Sequence, residues 1–252
     1  WGYNRHTDQT VNIYSAFLQN EWKNDRWGIL IGGRLDKHNM VDNVIFSPRA
    51  NLRFNPTQNI NLRLSYSSGF RAPQAFDEDM HIENVGGTVA MIERAKDLKE
   101  EKSQSFSVSA DMYHRFGAFQ TNLLIEGFYT RLTDVFVLGK PYDRGDGILV
   151  KTRSNGPGAK VMGLTLEGKV AYLSILQIQA GLTLQRSRYD EPHKWHDDAP
   201  AEKKIFRTPD TYGYFTATCT PIKPLSIALS GTYTGRMLVQ RMDITAENAE
   251  LG

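Results

Sequence analysis

The chain has 252 residues, of which 40% are hydrophobic and 23% charged, and its 30 basic and 28 acidic residues leave a formal net charge of +2. That balance holds no basic block with interleaved aromatics, so nucleic acid is not an expected partner. The single cysteine, Cys219, excludes an internal disulfide framework and has no companion for a zinc site, so it is expected to pack as a small hydrophobe.

No stretch approaches the roughly 18 uninterrupted apolar residues of a membrane-spanning helix, and the start WGYNRHTDQT is neither a signal peptide nor a lipidation motif. A membrane barrel remains open, because its strands need only about 9 to 11 residues and turn half of them toward the lumen. A start in mid-pattern leads us to expect a piece of something longer.

Period-two alternation dominates the chain. Val11 to Trp22 reads as a first strand. Trp27, Ile29, Ile31 and Leu35 then alternate with Gly28, Gly32, Arg34 and Asp36, and Pro48, Ala50, Leu52 and Phe54 alternate with Arg49, Asn51 and Arg53. Ile60, Leu62, Leu64 and Tyr66 oppose Asn61, Arg63, Ser65 and Ser67, and Phe106, Val108, Ala110 and Met112 oppose Ser105, Ser107, Ser109 and Asp111. Phe119 to Asp134 follows. The pattern returns at Met162 to Tyr172, at Ile178 to Leu184, at Tyr212 to Cys219 and at Leu225 to Tyr233, giving about ten long strands.

Their connections alternate too. Short turns at Lys23 to Arg26, Asn55 to Asn59, Arg115 to Ala118, Leu173 to Ile175 and Thr220 to Pro224 take turns with long polar excursions after Asp36, Phe70, Asp134, Arg186 and Gly235. Short turns at one rim and long loops at the other are expected of an outer-membrane barrel, and Trp22, Trp27, Phe54, Tyr66 and Tyr172 near strand ends fit its aromatic girdles. A soluble antiparallel sheet with one solvated face would share the period, but strands of a soluble sandwich are mostly about 5 or 6 residues long. Ten strands could close a small barrel or form an arc of a larger wall. The polar face, rich in Arg and Gln, favours the arc.

Nothing reads as a catalytic site. Asp77, Glu78 and Asp79 with His81 and Glu83 lack the spaced ligand loop of a calcium site and read as a solvated loop. PHKWHDD at Pro192 to Asp198 offers two histidines three apart, a chelating spacing, yet no further ligand converges in sequence and a loop tip is expected. No resident metal or cofactor is therefore expected. Gly158 and Gly163 read as backbone requirements, since no helix follows to bind phosphate.

Several stretches together resemble a known family. YSSGFRAPQAFDE (Tyr66 to Glu78) resembles a strand-to-loop signature ending in Gly-Phe-Arg-Ala-Pro. KDLKEEKSQSF (Lys96 to Phe106) is similar to PDLKPEKS with Glu100 in place of the usual proline, and NGPGAKVMGLTLEG (Asn155 to Gly168) resembles NAGKAKIQGVELE. Their order along the chain is that of the TonB-dependent outer-membrane receptors, importers built as plugged barrels of roughly 22 strands. RTPDTYGYFTATCTPIKPLSIALSGTYTGRM is most like a branch common in Bacteroides-type bacteria.

The resemblance implies an all-β, antiparallel transmembrane β-barrel in the bacterial outer membrane. The whole of residues 1–252 would be part of the C-terminal barrel domain, with the plug and the final strands lacking a counterpart. It also implies import of a scarce nutrient such as a ferric siderophore, cobalamin or haem. The partners would be outer-membrane lipid and, through the plug, the TonB energy-coupling protein.

Loops Phe70 to Lys102, Phe136 to Ala159 and Arg188 to Phe206 would then face the ligand, with Phe76, Tyr142 and Trp195 as candidate apolar contacts. Arg34, Arg49, Arg53 and Arg63 would line the lumen. They are expected either to pair with Asp36 and plug carboxylates or to favour anionic cargo. Two other classes stay open: an independent small outer-membrane barrel, enzyme or pore, and a soluble all-β binding module. The scattered histidines and the absence of a partnered serine motif argue against an enzyme.

Overall fold

The computed structural model describes residues 10–73, 90–140, 142–145, 149–193 and 201–239. The described chain is all strand and turn. Ten long strands form one antiparallel wall: β1 (Ile13–Lys23), β2 (Trp27–His38), β3 (Ile45–Thr57), β4 (Ile60–Arg71), β6 (Glu101–Phe116), β7 (Phe119–Thr133), β11 (Ala159–Tyr172), β12 (Leu176–His193), β14 (Thr211–Ile222) and β15 (Leu225–Thr234). The remaining strands lie in the connections. These are β5 (Ala90–Arg94), β8 (Phe136–Leu138), β9 (Tyr142–Asp143), β10 (Leu149–Asn155) and β13 (Glu202–Lys204).

Wall strands that follow one another in the chain are neighbours in the sheet, so the wall is a meander. β1 pairs only with β2 and β15 only with β14 among the described residues, so the sheet is an open arc. Strand lengths of 10 to 18 residues set it apart from a soluble sandwich. Helical spans are absent from the described residues.

Alternation gives the wall two unlike faces. One carries a continuous apolar sheet in which Leu52, Leu64 and Val108 are successive register partners, as are Ile125, Leu166 and Leu182. These residues are not buried: Leu64 is 52% exposed and Val108 59%, and the only buried apolar residues among those described are Val41, Ile45, Ala72, Val150 and Ala159. The accessible surface of 18144 Å² compares with about 11,000 Å² expected of a compact monomer of this mass. The apolar face therefore needs an apolar environment that the chain does not itself supply.

The rim of short turns is belted with aromatics on that face. Trp27 stacks on Phe54 with ring centroids 4.3 Å apart, and Phe119 sits between Phe116 at 5.4 Å and Tyr172 at 4.8 Å. The turns themselves are tight. Asn24 Oδ1 accepts the backbone N–H groups of Arg26 and Trp27, and Gly117 takes φ 58° in the turn between β6 and β7.

The opposite rim differs from expectation in four connections, one of them after Arg186, where the expected polar excursion is at first strand: β12 runs on to His193 and pairs with β13. The connection after β2, expected to be long, is the short segment 39–44. It folds back so that Val41 and Ile45 pack with Ala72 and Phe70 in a small cluster, close to the buried Asp36 and His38. The connections after β4 and β7, expected as plain polar loops, instead build a second, four-stranded sheet from β5, β8, β9 and β10. In it β10 pairs parallel with β5 and antiparallel with β8 and β9.

Candidate functional site

The long-connection rim is where the chain's distinctive sequence stretches meet. β4 ends on Gly69, Phe70 and Arg71, β6 begins at Glu101, and Arg71 and Glu101 are register partners. Arg71 Nη2 donates to Glu101 Oε2 at 3.2 Å, while its guanidinium lies 4.7 Å from the centroid of Phe136. The same Glu101 oxygen accepts the backbone N–H of Phe136 at 3.0 Å, so one carboxylate ties β4 to the start of β8.

Asn155 closes the other side. Its Nδ2 donates to the carbonyls of Lys99 (3.1 Å) and Asp134 (2.8 Å), and its Oδ1 accepts the Lys99 N–H at 2.8 Å. An amide side chain can do this because it carries two donors and an acceptor. The three stretches GFRAP, KDLKEEKS and NGPGAK are therefore one hydrogen-bonded platform on which the four-stranded sheet rests.

Glycines allow close approaches in it and in the adjoining strand β11. A Cβ on Gly158 would lie 2.7 Å from Leu132 O and from Asp190 Oδ2, and one on Gly163 would lie 2.5 Å from Leu184 O. Both are backbone requirements, as the sequence suggests. Burial, with the neighbouring Arg71, holds the pKa of Arg153 on β10 below its ordinary value.

The polar face of the wall carries charges of both signs. Arg34, Arg49, Arg53 and Arg63 lie on β2, β3 and β4 with Asp36 beside them and Glu21 on β1, and Asp111, Glu126 and Glu167 lie on β6, β7 and β11 with Arg115 and Lys169 on the same face. Arg34 Nε meets Asp36 at 2.7 Å, and Ser15 Oγ both donates to Asp36 at 2.6 Å and accepts from Arg34. Arg63 donates to Asn61 at 2.7 Å. Arg53 stands opposite Arg63 and reaches over Gly28, where an added Cβ would lie 3.3 Å from its Nε. Arg49 faces Gly32 on one side and Ser67 on the other.

The four arginines run along the wall from one rim toward the other and do not converge on one point. Arg34 and Arg53 are about 20 Å apart at a strand rise of about 3.3 Å per residue. Farther along the same face, Glu167 accepts from the Tyr214 hydroxyl at 2.6 Å and from Gln179 at 2.8 Å.

Of the candidate ligand contacts, Tyr142 lies on β9 of the four-stranded sheet, opposite Val150, and is 46% exposed. Phe76 and Trp195 lie outside the described residues, as do Asp77 to Glu83 and the core of PHKWHDD. No group of three or more metal-ligating side chains occurs among the described residues. Sequence reasoning missed the roles of Arg71, Glu101 and Asn155. They stood inside the quoted stretches, but only pairing across connections of dozens of residues brings them together.

The family model described as TonB dependent receptor-like, beta-barrel matches residues 2–240. No curated protein sequence matches the chain. Solved structures do. The siderophore receptor PirA from Pseudomonas aeruginosa is 17% identical with a TM-score of 0.66, over 88% of this chain and 40% of that one. The FrpB iron transporter from Neisseria meningitidis is 16% identical with a TM-score of 0.62, over 89% and 33%. The ferric-catecholate import receptor Fiu from K12 E. coli is 13% identical with a TM-score of 0.64, over 90% and 34%. The chain thus spans between a third and two fifths of these receptors, and at such identities the likeness concerns the fold. With the family match over nearly its whole length and an open antiparallel wall of barrel strands, the chain belongs to the TonB dependent receptor-like β-barrel family.

Proposed function

We propose that the chain is a stretch of barrel wall, within a single barrel domain, of an outer-membrane receptor that captures a scarce nutrient at its outer rim and imports it by energy coupling. The observation that carries this reading is the platform of Arg71, Glu101, Phe136, Lys99 and Asn155. It seats a four-stranded sheet over the rim opposite the aromatic turns, which is where a receptor must hold a ligand. The sheet presents Tyr142, and Phe76 and Trp195, in the sequence segments that follow β4 and β12, complete the three proposed apolar contacts.

The cargo is a ferric siderophore, cobalamin or haem, and no catalysis is required of the chain. The energy-coupling protein TonB acts on a plug, not on the wall. Arg49, Arg53 and Arg63 give the lumen beside β2 to β4 a positive sector that favours anionic cargo. The test is growth of a deletion strain on each nutrient as sole source, complemented by the full-length gene. Rescue on one nutrient, reduced by combined R49Q, R53Q and R63Q, is expected. Equal growth of deletion and complemented strains on all of them would remove the transport reading.

A further inference from the structure

We infer that the Asn155-Gly156 step is a conditional self-modification site. It stays intact while the rim platform is closed, and opening of the platform lets Asn155 deamidate, which locks the platform open. The inference stands on the geometry of the platform and is independent of which nutrient the chain serves.

Asn155-Gly156 is the only Asn-Gly step in the sequence. Asparagine is a thermally labile residue. Its side-chain amide is lost fastest when glycine follows, because glycine leaves its nitrogen unshielded and the backbone free to bring that nitrogen round. Packing requires both residues all the same. Asn155 serves three backbone groups at once. A Cβ at position 156 would lie 2.5 Å from Val137 Cγ1 and 2.9 Å from its Cγ2, so no bulkier residue that would shield the nitrogen fits there. The platform is thus built on the pair most prone to rearrange.

In that rearrangement the backbone nitrogen of Gly156 gives up its proton and attacks Asn155 Cγ. A nitrogen-carbon bond forms, the Cγ to Nδ2 bond breaks, and the amide leaves as ammonia, giving a cyclic imide. Water then opens the ring at either carbonyl, to aspartate or, with the main chain rerouted through Cγ, to isoaspartate. Water is the sole co-reactant, and nothing is oxidised or reduced.

In the closed platform every atom this needs is held elsewhere. The Gly156 N–H donates to Val135 O at 2.7 Å. Asn155 Nδ2 holds the carbonyls of Lys99 and Asp134, and its Oδ1 holds the Lys99 N–H. Asn155 is also the register partner of Phe136 where β10 pairs with β8, which fixes its backbone. Turning Cγ onto the Gly156 nitrogen therefore breaks all four of these hydrogen bonds. The product cannot restore them. Aspartate carries neither donor of the lost amide. Isoaspartate inserts a methylene into the main chain between β10, which ends at Asn155, and β11, which begins at Ala159. That short link contains Gly158, whose close approach to Leu132 O leaves no room for a shift. One opening is thereby converted into a permanent change at the rim.

The test ages the full-length protein, folded in mild detergent, in mildly alkaline buffer beside a synthetic peptide of residues 154–160, the tryptic fragment SNGPGAK. Mass spectrometry after digestion at mildly acidic pH follows the conversion, and isoaspartate methyltransferase labels one of its products. The native protein should convert at least about tenfold more slowly than the peptide, because a closed segment reacts only through its open fraction. The variant combining R71A and E101A, which cuts the ties of Phe136 to the wall, should convert at least about threefold faster than the native protein. K223Q at the opposite rim should keep the native rate. Heat-modifiable gel mobility shows whether each barrel is folded, and R71A alone serves if the double variant is not. After ageing, a brief pulse of protease separates native barrels cut within residues 134–158 from intact ones, and modified Asn155 should be enriched in the cut ones. Equal rates in native protein and peptide, equal rates in native protein and the double variant, or an equal acceleration by K223Q would each overturn the proposal. Equal shares of modified Asn155 in cut and intact barrels would overturn it as well, by removing the lock.

Discussion

Arg71 and Glu101 face each other across β4 and β6 at 3.2 Å, and the same carboxylate oxygen holds the backbone of Phe136. One ion pair thus belongs to the wall and to the sheet above it. R71A should release both the cation–π contact with Phe136 and the orientation of Glu101, leaving the wall paired by its backbone. Limited proteolysis of the full-length protein should then cut within residues 134–158 several times faster than in the native form, with an unchanged heat-modifiable shift. Identical cleavage rates would show that the pair is dispensable.

Asn155 offers a sharper case because all three of its contacts are to backbone groups of other segments. N155A leaves those groups to water or unpaired, at a cost of about 1 to 3 kcal/mol for each polar group that stays buried. N155D keeps an acceptor for Lys99 N–H but loses both donors, so it should be nearly as damaging. Amide exchange at Lys99, read by mass spectrometry, is expected to accelerate in N155A by more than in N155D. Protection equal to the native protein in both variants would refute the clamp.

Acid should act selectively at the end of β12. The hydrogen bond from Arg131, helped by Lys160 and Lys203, holds the Asp190 carboxyl below its ordinary pKa despite an opposing contribution from burial. A group depressed on folding contributes stability above its unfolded pKa, about 3.9 for Asp. That contribution is lost as pH falls through the lower folded value. The gap in unfolding temperature between the native protein and D190N should be full at pH 7 and close as the pH falls below about 4. A gap constant from neutral to acid pH would remove Asp190 as its source.

The wall was legible in the sequence because its signal is local. Trp27, Ile29 and Ile31 announce their face by period two alone, and Gly117 announces its turn. The four-stranded sheet was not, since strands as short as Tyr142–Asp143 carry no period, and β5 and β10 pair in parallel across a long separation. The segment 39–44 misled for a different reason: its Asn and Asp residues look like a loop beginning, but Val41 anchors it back on Ala72. At the candidate site, residue types such as Arg71 and Glu101 were visible while their partners were not. The Arg34 to Asp36 contact could be anticipated because two residues on one strand face share a side.

The surroundings of Glu167 on the polar face give a last expectation. Gly181 sits opposite Tyr214, and a Cβ there would lie 2.5 Å from the ring's Cε1, so this glycine is what lets the ring lie flat and reach Glu167. G181A must therefore push the ring aside, at about 1 to 3 kcal/mol for overpacking. Y214F keeps the ring and loses only the hydrogen bond to the carboxylate, at about 1 kcal/mol on this open face. The ring displaced in G181A no longer makes that bond, so adding Y214F to it should cost less than Y214F alone. A double-mutant cycle on urea unfolding of the full-length protein in lipid vesicles measures that coupling. Strictly additive losses would mean that Gly181 does not position the ring.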